Sequence, residues 1–217
     1  MTVTETSTRS DNVVGILPGT DAKLKDEYVI LTAHLDHVSV GNPVDGDAIF
    51  NGTMDNASGI ATLIETATAA AAMKGFKRSI AFVAVTGEEQ GHLGSRYFVA
   101  NPTVPARGIV ANLNTDMYLP LFPLKNVIVA GIDESDLAVD LRKAAQLAGI
   151  EVIPDPEPER NAFIRSDQYS FIRRGIPALS PRVGYVKDSR RGRTGQPATR
   201  PAWNRGSFFR RFAQQTH

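Results

Sequence analysis

The sequence predicts an α/β fold in three layers: a mixed, mostly parallel sheet with helices on both faces. Three observations carry that expectation. Short apolar runs rich in β-branched residues alternate along the chain with segments of helical periodicity. Gly, Pro, Asn and Asp punctuate the joints between them. The chain has 217 residues, 42% of them hydrophobic, which is enough for one domain with a real core. No internal repeat is visible.

The elements follow in order. Glu27–Ala33, "EYVILTA", has the length and composition of a buried strand. A polar, Gly-containing loop runs from His34 to about Asn56. The Ala-rich stretch that follows has apolar positions at helical spacing, with Asn56 or Ser58 as cap and Gly75 past its end. Ser79–Val85, "SIAFVAV", is a second strand. "GEEQGHLGS" is a tight turn, and "SRYFVANP" a short helix stopped by Pro102. Gly108–Asn114 and "NVIVAG" are the third and fourth strands. "ESDLAVDLRKAAQLAG" is an amphipathic helix with an acidic first turn and Gly149 at its end. "IEVIP" and "IPALS" are the fifth and sixth strands, with "RSDQYSFIRRG" between them as a loop entering a short helix.

Composition excludes several chemistries. There is no Cys, so disulfides, thiolate zinc sites and a Cys nucleophile are out. No apolar stretch of about 18 residues is present, so no membrane span is expected. Residues 1–11 lack a basic segment followed by an apolar one and read as a disordered lead, not a signal peptide. The net charge of +1 hides an asymmetry: residues 188–217 hold seven Arg against one Asp, while residues 1–187 hold 17 Lys and Arg against 22 Asp and Glu.

The polar clusters sit immediately after buried strands. His34, Asp36 and His37 follow the first; Glu88 and Glu89 follow the second; Asp116 follows the third; Asp55 precedes the Ala-rich helix. Parallel strands would bring these loops to one edge of the sheet. His, Asp and Glu together suit zinc without a thiolate. The neighbouring carboxylates of "GEE" suggest a division of labour, one binding metal and the other free as a base. His37 competes with His34 as a ligand, and the H-x-D spacing favours His34. His92 reads as a loop or helix-start residue. Ser166 and Asp167 either start a helix or line a substrate pocket, and the pocket is the preferred reading. No G-x-S-x-G elbow is present, so a serine hydrolase is not expected.

"TAHLDH", "GTMDNASGIA", "TGEEQGHLGS" and "NLNTDM", in this order and spacing, resemble the co-catalytic dizinc exopeptidases, a family of bacterial zinc aminopeptidases, glutamate carboxypeptidase-like enzymes and glutaminyl cyclases. "RSDQYSFIRRGIPALS" also resembles the stretch that closes their sheet. The resemblance covers about Asn12 to Lys187, taken as the catalytic domain, residues 12–187. It implies two zinc ions, a peptide substrate and hydrolysis at the N-terminal peptide bond. His34 and Asp116 would bind one zinc, Glu89 the other, and Asp55 both. Asp36 would orient the His34 ring. Glu88 would be the general base that activates water and then protonates the leaving amine. The peptide after the bridging Asp is often cis in this family, which makes Asp55–Asn56 a candidate. Members are commonly secreted or periplasmic. A carboxypeptidase, another amide hydrolase or a non-catalytic peptide-binding relative on the same scaffold are the alternatives, and retention of Glu88 argues against the last.

The resemblance also implies a final His ligand, in a "Y-H-x-x-x-D"-like segment after the last strand. The text after Lys187, "DSRRGRTGQPATRPAWNRGSFFRRFAQQTH", does not contain it and reads like a GC-rich gene translated out of frame. The expectation is therefore a second zinc held only by Asp55 and Glu89, and a catalytic domain lacking its last helix. The tail's Arg residues and Trp203, Phe208, Phe209 and Phe212 also suit a nucleic-acid arm. The out-of-frame reading explains them without function, so no nucleic-acid partner is expected. Nothing in the sequence points to an oligomeric state.

Overall fold

The structure is a computed structural model that describes residues 8–73 and 75–185. The Arg-rich tail and its aromatic residues lie outside them, as does His217. Nine strands and four α-helices alternate among the described residues: β1 (Val13–Leu17), β2 (Tyr28–His34), β3 (Ser39–Val44), β4 (Asp47–Phe50), α1 (Ser58–Ala72), β5 (Ser79–Val85), α2 (Leu93–Ala100), β6 (Ile109–Asn114), β7 (Asn126–Ala130), α3 (Leu137–Ala148), β8 (Glu151–Ile153), α4 (Gln168–Ile172) and β9 (Ala178–Val183). Seven strands form one sheet in the order β1-β5-β2-β6-β9-β7-β8. Its centre, β5-β2-β6-β9, is parallel. At the two sides, β1 runs antiparallel to β5, and β7 antiparallel to β9.

Strand alternation builds the layers. In β2, Val29, Leu31 and Ala33 face one core with Ile80 and Phe82 of β5; Leu63 and Ala70 of α1 and Leu137, Leu141 and Ala144 of α3 cover them. Ile30 points to the other face, with Ala81, Val83 and Val85, under Phe98 of α2 and Phe171 of α4. Those two rings meet at a centroid distance of 6.1 Å and tie α2 to α4. Helices thus cover both faces, and the central strands are apolar on both sides, as buried parallel strands must be. No helix among the described residues is long and apolar enough to cross a membrane.

All six expected strands form. Three more do so as well. β1 packs on the sheet edge with Val13 63% exposed, so half its side chains give no burial signal. β3 and β4 make a separate hairpin inside the stretch read as a loop. Asp45 and Gly46 both adopt positive φ at its tip, as a two-residue hairpin turn requires. The expected common direction holds for β2, β5, β6 and β9; β7 and β8, the fourth and fifth expected strands, are reversed and carry no site residue.

Candidate metal centre

β2, β5 and β6 end at one level. His34 is paired with Val85, and Thr32 with Asn114. The Thr115 amide and hydroxyl both donate to the Thr32 carbonyl, at 2.9 and 3.1 Å, so the chain leaving β6 stays beside β2. His34, Glu88–Glu89 and Asp116 therefore emerge together.

Asp55 comes from the turn Thr53–Ala57, whose Asp55–Asn56 peptide is cis, as the resemblance implied. Asn56 is 2% exposed and fastens this turn. Its Nδ2 donates to the Thr115 carbonyl (2.9 Å), while its Oδ1 accepts from the amides of Gly59 (3.0 Å) and Met117 (3.1 Å). One side chain thus caps α1 and ties it to the end of β6. Gly59 permits the approach: a Cβ there would stand 2.5 Å from the Thr115 carbonyl oxygen.

The turn after β5 is held from two sides. Glu88 O accepts the amides of Gly91 and His92, both at 2.9 Å. Asn12 takes the Thr86 amide at 3.1 Å and gives a hydrogen bond to Gly94 O at 2.9 Å. The Asp36 carboxylate accepts the Gly87 amide at 2.7 Å. The role expected for Asp36 is thereby corrected. Its backbone carbonyl, not its carboxylate, meets His34 Nδ1 (2.9 Å), because the side chain is committed to the "GEE" turn.

Two groups of donor atoms result. His34, Asp55 and Asp116 form one, and His37, Asp55 and Glu89 the other; within each, the donor atoms lie within 4.8 Å of one another. Asp55 belongs to both. In the first, His34 Nε2 lies 3.1 Å from Asp55 Oδ1 and 3.7 Å from Asp116 Oδ1. Nε2 and Asp116 Oδ1 are buried and neither makes a hydrogen bond. Burial disfavours a charged His34 ring, but the Asp116 and Asp55 carboxylates outweigh it and push its pKa up to about 11. Asp116 is also desolvated, yet His34 and the Ser166 hydroxyl hold its pKa below the ordinary value. The pocket is built to enclose a positive charge. Orphaned nitrogen and oxygen donors around that charge fit a zinc ion.

In the second group, His37 Nδ1 meets Glu89 Oε1 at 2.6 Å. The sequence reading left only Asp55 and Glu89 here; the fold adds His37. Glu88 joins neither group, which separates it from its neighbour Glu89. It is 9% exposed, with Oε1 3.4 Å from His92 Nε2. Contact with Glu88 raises the His92 pKa. His92 stands at the start of α2, as expected.

Ser166 and Asp167 are corrected too. Both are 0% exposed and lie beneath the site, not on a substrate surface. Ser166 accepts from Asn114 Nδ2 (3.0 Å), which also donates to Gln168 Oε1 (2.8 Å). Asn114 Oδ1 accepts from the Thr32 hydroxyl (2.7 Å). Asn12, Asn114 and Gln168 were missed as supports; Asn56 was expected as a cap of α1, and only its ties to Thr115 and Met117 were missed. The polar letters inside "NLN" and at the cap of α1 were the only signals.

The profile of peptidase family M28 matches residues 12–204. The chain belongs to peptidase family M28. A probable zinc metalloprotease of Pyrenophora teres f. teres is 34% identical over 105 residues, 48% of this chain and 22% of that protein. A zinc aminopeptidase from Bacillus subtilis shares the fold at a TM-score of 0.60 and 23% identity, over 86% of this chain and 42% of that one. Porphyromonas gingivalis glutaminyl cyclase does so at 0.61 and 20%, over 85% and 66%. This M28 chain thus spans less than half the length of the first two proteins.

Proposed function

We propose that this M28 chain is a zinc-dependent exopeptidase that hydrolyses the N-terminal peptide bond of its substrate. The observation that carries the reading is the pair of donor groups sharing Asp55, with Glu88 beside them and outside both. Three donors in each group leave a coordination position open, as catalytic zinc sites require. Zinc held there would polarise the scissile carbonyl and lower the pKa of a bound water.

The chain's own residues do the rest. Glu88 takes the water proton on its carboxylate and gives it to the leaving amine. The Asp36–Gly87 bond and the Asn12 clamp fix the turn, so that Glu88 keeps its place while Glu89 faces His37. His92 bounds the Glu88 carboxylate on its other side. His34 and Asp116 are held by the strand ends, and Asp55 by Asn56.

The aminopeptidase reading draws on the fold shared with the Bacillus subtilis zinc aminopeptidase. The same fold in a glutaminyl cyclase makes substrate choice the point to test. The zinc-loaded chain is expected to release the chromophore from amino-acyl p-nitroanilides and to lose that activity on chelation. Cleavage only of N-blocked peptides at a free C-terminus would replace the reading with a carboxypeptidase. Metal uptake with no cleavage of any amide would leave a peptide-binding relative.

A further inference from the structure

We infer that His37 supplies the nitrogen ligand of the second metal position, completing it with Asp55 and Glu89. The inference rests on the reading of this site as a zinc centre, and goes beyond it by assigning the ligand that the sequence motifs left unfilled.

Three observations point to it. First, a ring nitrogen of His37 and one oxygen each of Asp55 and Glu89 lie within 4.8 Å of one another. That set has the composition of the first group, one imidazole and two carboxylates. Second, His37 is the imidazole the described residues place beside Asp55 and Glu89; His34 is taken by the first group, and His92 by Glu88. Third, the backbone is shaped around it. Gly52 has φ 62°, and a Cβ there would stand 2.6 Å from His37 Cβ and 2.7 Å from the Asp55 carbonyl oxygen. Only a residue without a side chain lets the Asp55 turn close on His37.

A plain hydrogen bond between His37 and Glu89 accounts for their contact, but not for the third donor or the approach at Gly52. The side chains of His37, Asp55 and Glu89 are 22%, 33% and 24% exposed, so the position is open to solvent. Such a site can exchange its metal and admit a substrate group.

The test uses the full 217-residue chain, stripped by a chelator and titrated with Zn²⁺ alone against a chromophoric competitor. Wild type is expected to take two equivalents. His37→Gln keeps a hydrogen-bonding side chain but is a poor zinc ligand. It should weaken one equivalent by at least ~100-fold, beyond the ~10–100-fold typical of losing an outer partner, and leave the other unchanged. Unchanged binding of both equivalents by His37→Gln would overturn the inference. A single equivalent in wild type, indifferent to His37→Gln but lost in His34→Gln, would overturn it while the zinc-centre reading stands. No binding at all would overturn both. His37→Cys guards against misfolding of the Gln variant. With Co²⁺ it should show a thiolate charge-transfer band in a protein otherwise without Cys, and absence of that band would also overturn the inference.

Discussion

The two donor groups share Asp55 and differ in what holds the rest. His34 and Asp116 grow from the ends of adjacent parallel strands, with side chains 1% and 11% exposed. The ladder and the Thr115–Thr32 bonds leave them little freedom. His37 and Glu89 sit on loops, each about a quarter exposed. Their meeting depends on the Asp36–Gly87 bond, the turn around Glu88 and the bare backbone at Gly52. The contrast teaches that a sheet positions one donor set with little further support, whereas the other must be assembled from turns. The first should be the tighter and less exchangeable site.

Removing the shared residue breaks the comparison outright. Asp55→Ala should lower zinc from two equivalents to none after dialysis and abolish peptidase activity; retention of one tight equivalent would show that the groups do not depend on a common ligand. Glu88→Gln should leave metal content alone and reduce kcat by ~10²–10⁴-fold, the usual worth of a general base. A parallel loss of zinc would make Glu88 a ligand and erase its separation from Glu89.

Asp167 sharpens the comparison from below the site. Burial pushes its pKa up to about 7, and the nearby Glu88 charge adds to that. An unfolded Asp ionises near 3.9, so between about pH 4 and 7 the folded state holds the extra proton. Its contribution is therefore fully present below pH 4 and is lost as pH rises through 7. In the metal-free protein, Asp167→Asn should gain about 2–3 kcal/mol on wild type between pH 5 and pH 8, read from urea unfolding at each pH. A pH-independent difference would mean that the carboxyl ionises normally. The smallest effect belongs to Gly52→Ala. A left-handed Ala costs about 1–2 kcal/mol, and its Cβ pushes on both His37 and the Asp55 carbonyl, so the weaker zinc should loosen about tenfold and the tighter one, which shares only Asp55, by less.

Legibility followed burial. β2 and β5 were readable to within a residue because both faces are apolar. The β3–β4 hairpin was not, although "VDGD" holds the Asp-Gly pair of a tight hairpin turn. Its side chains are mostly exposed, so the period that marks a strand is lost. Among site residues, the clusters after β2, β5 and β6 stood out because carboxylates and imidazoles directly after buried strands have few structural uses; the motif resemblance chose His34, Glu89 and Asp116 from them and added Asp55. Asn114 did not, because an amide in a sequence carries no sign of its partners; Asn56 was legible as a helix cap but not as the tie to the end of β6. Ser166 and Asp167 were read as pocket residues for the opposite reason: polarity suggested a surface, and the fold buries them completely.

By itself the sequence determined the class of fold, the central strands, and which side chains were candidate donors. Apolar periodicity and the chemistry of side chains are local properties and survive without coordinates. Tertiary structure alone decided which donors meet. His37 is three residues from His34, yet it faces Glu89, 52 residues away, because the chain turns after β2 and Asp36 anchors to the next loop. Pairing across such separations depends on strand direction, register and loop closure, which no single stretch of sequence contains.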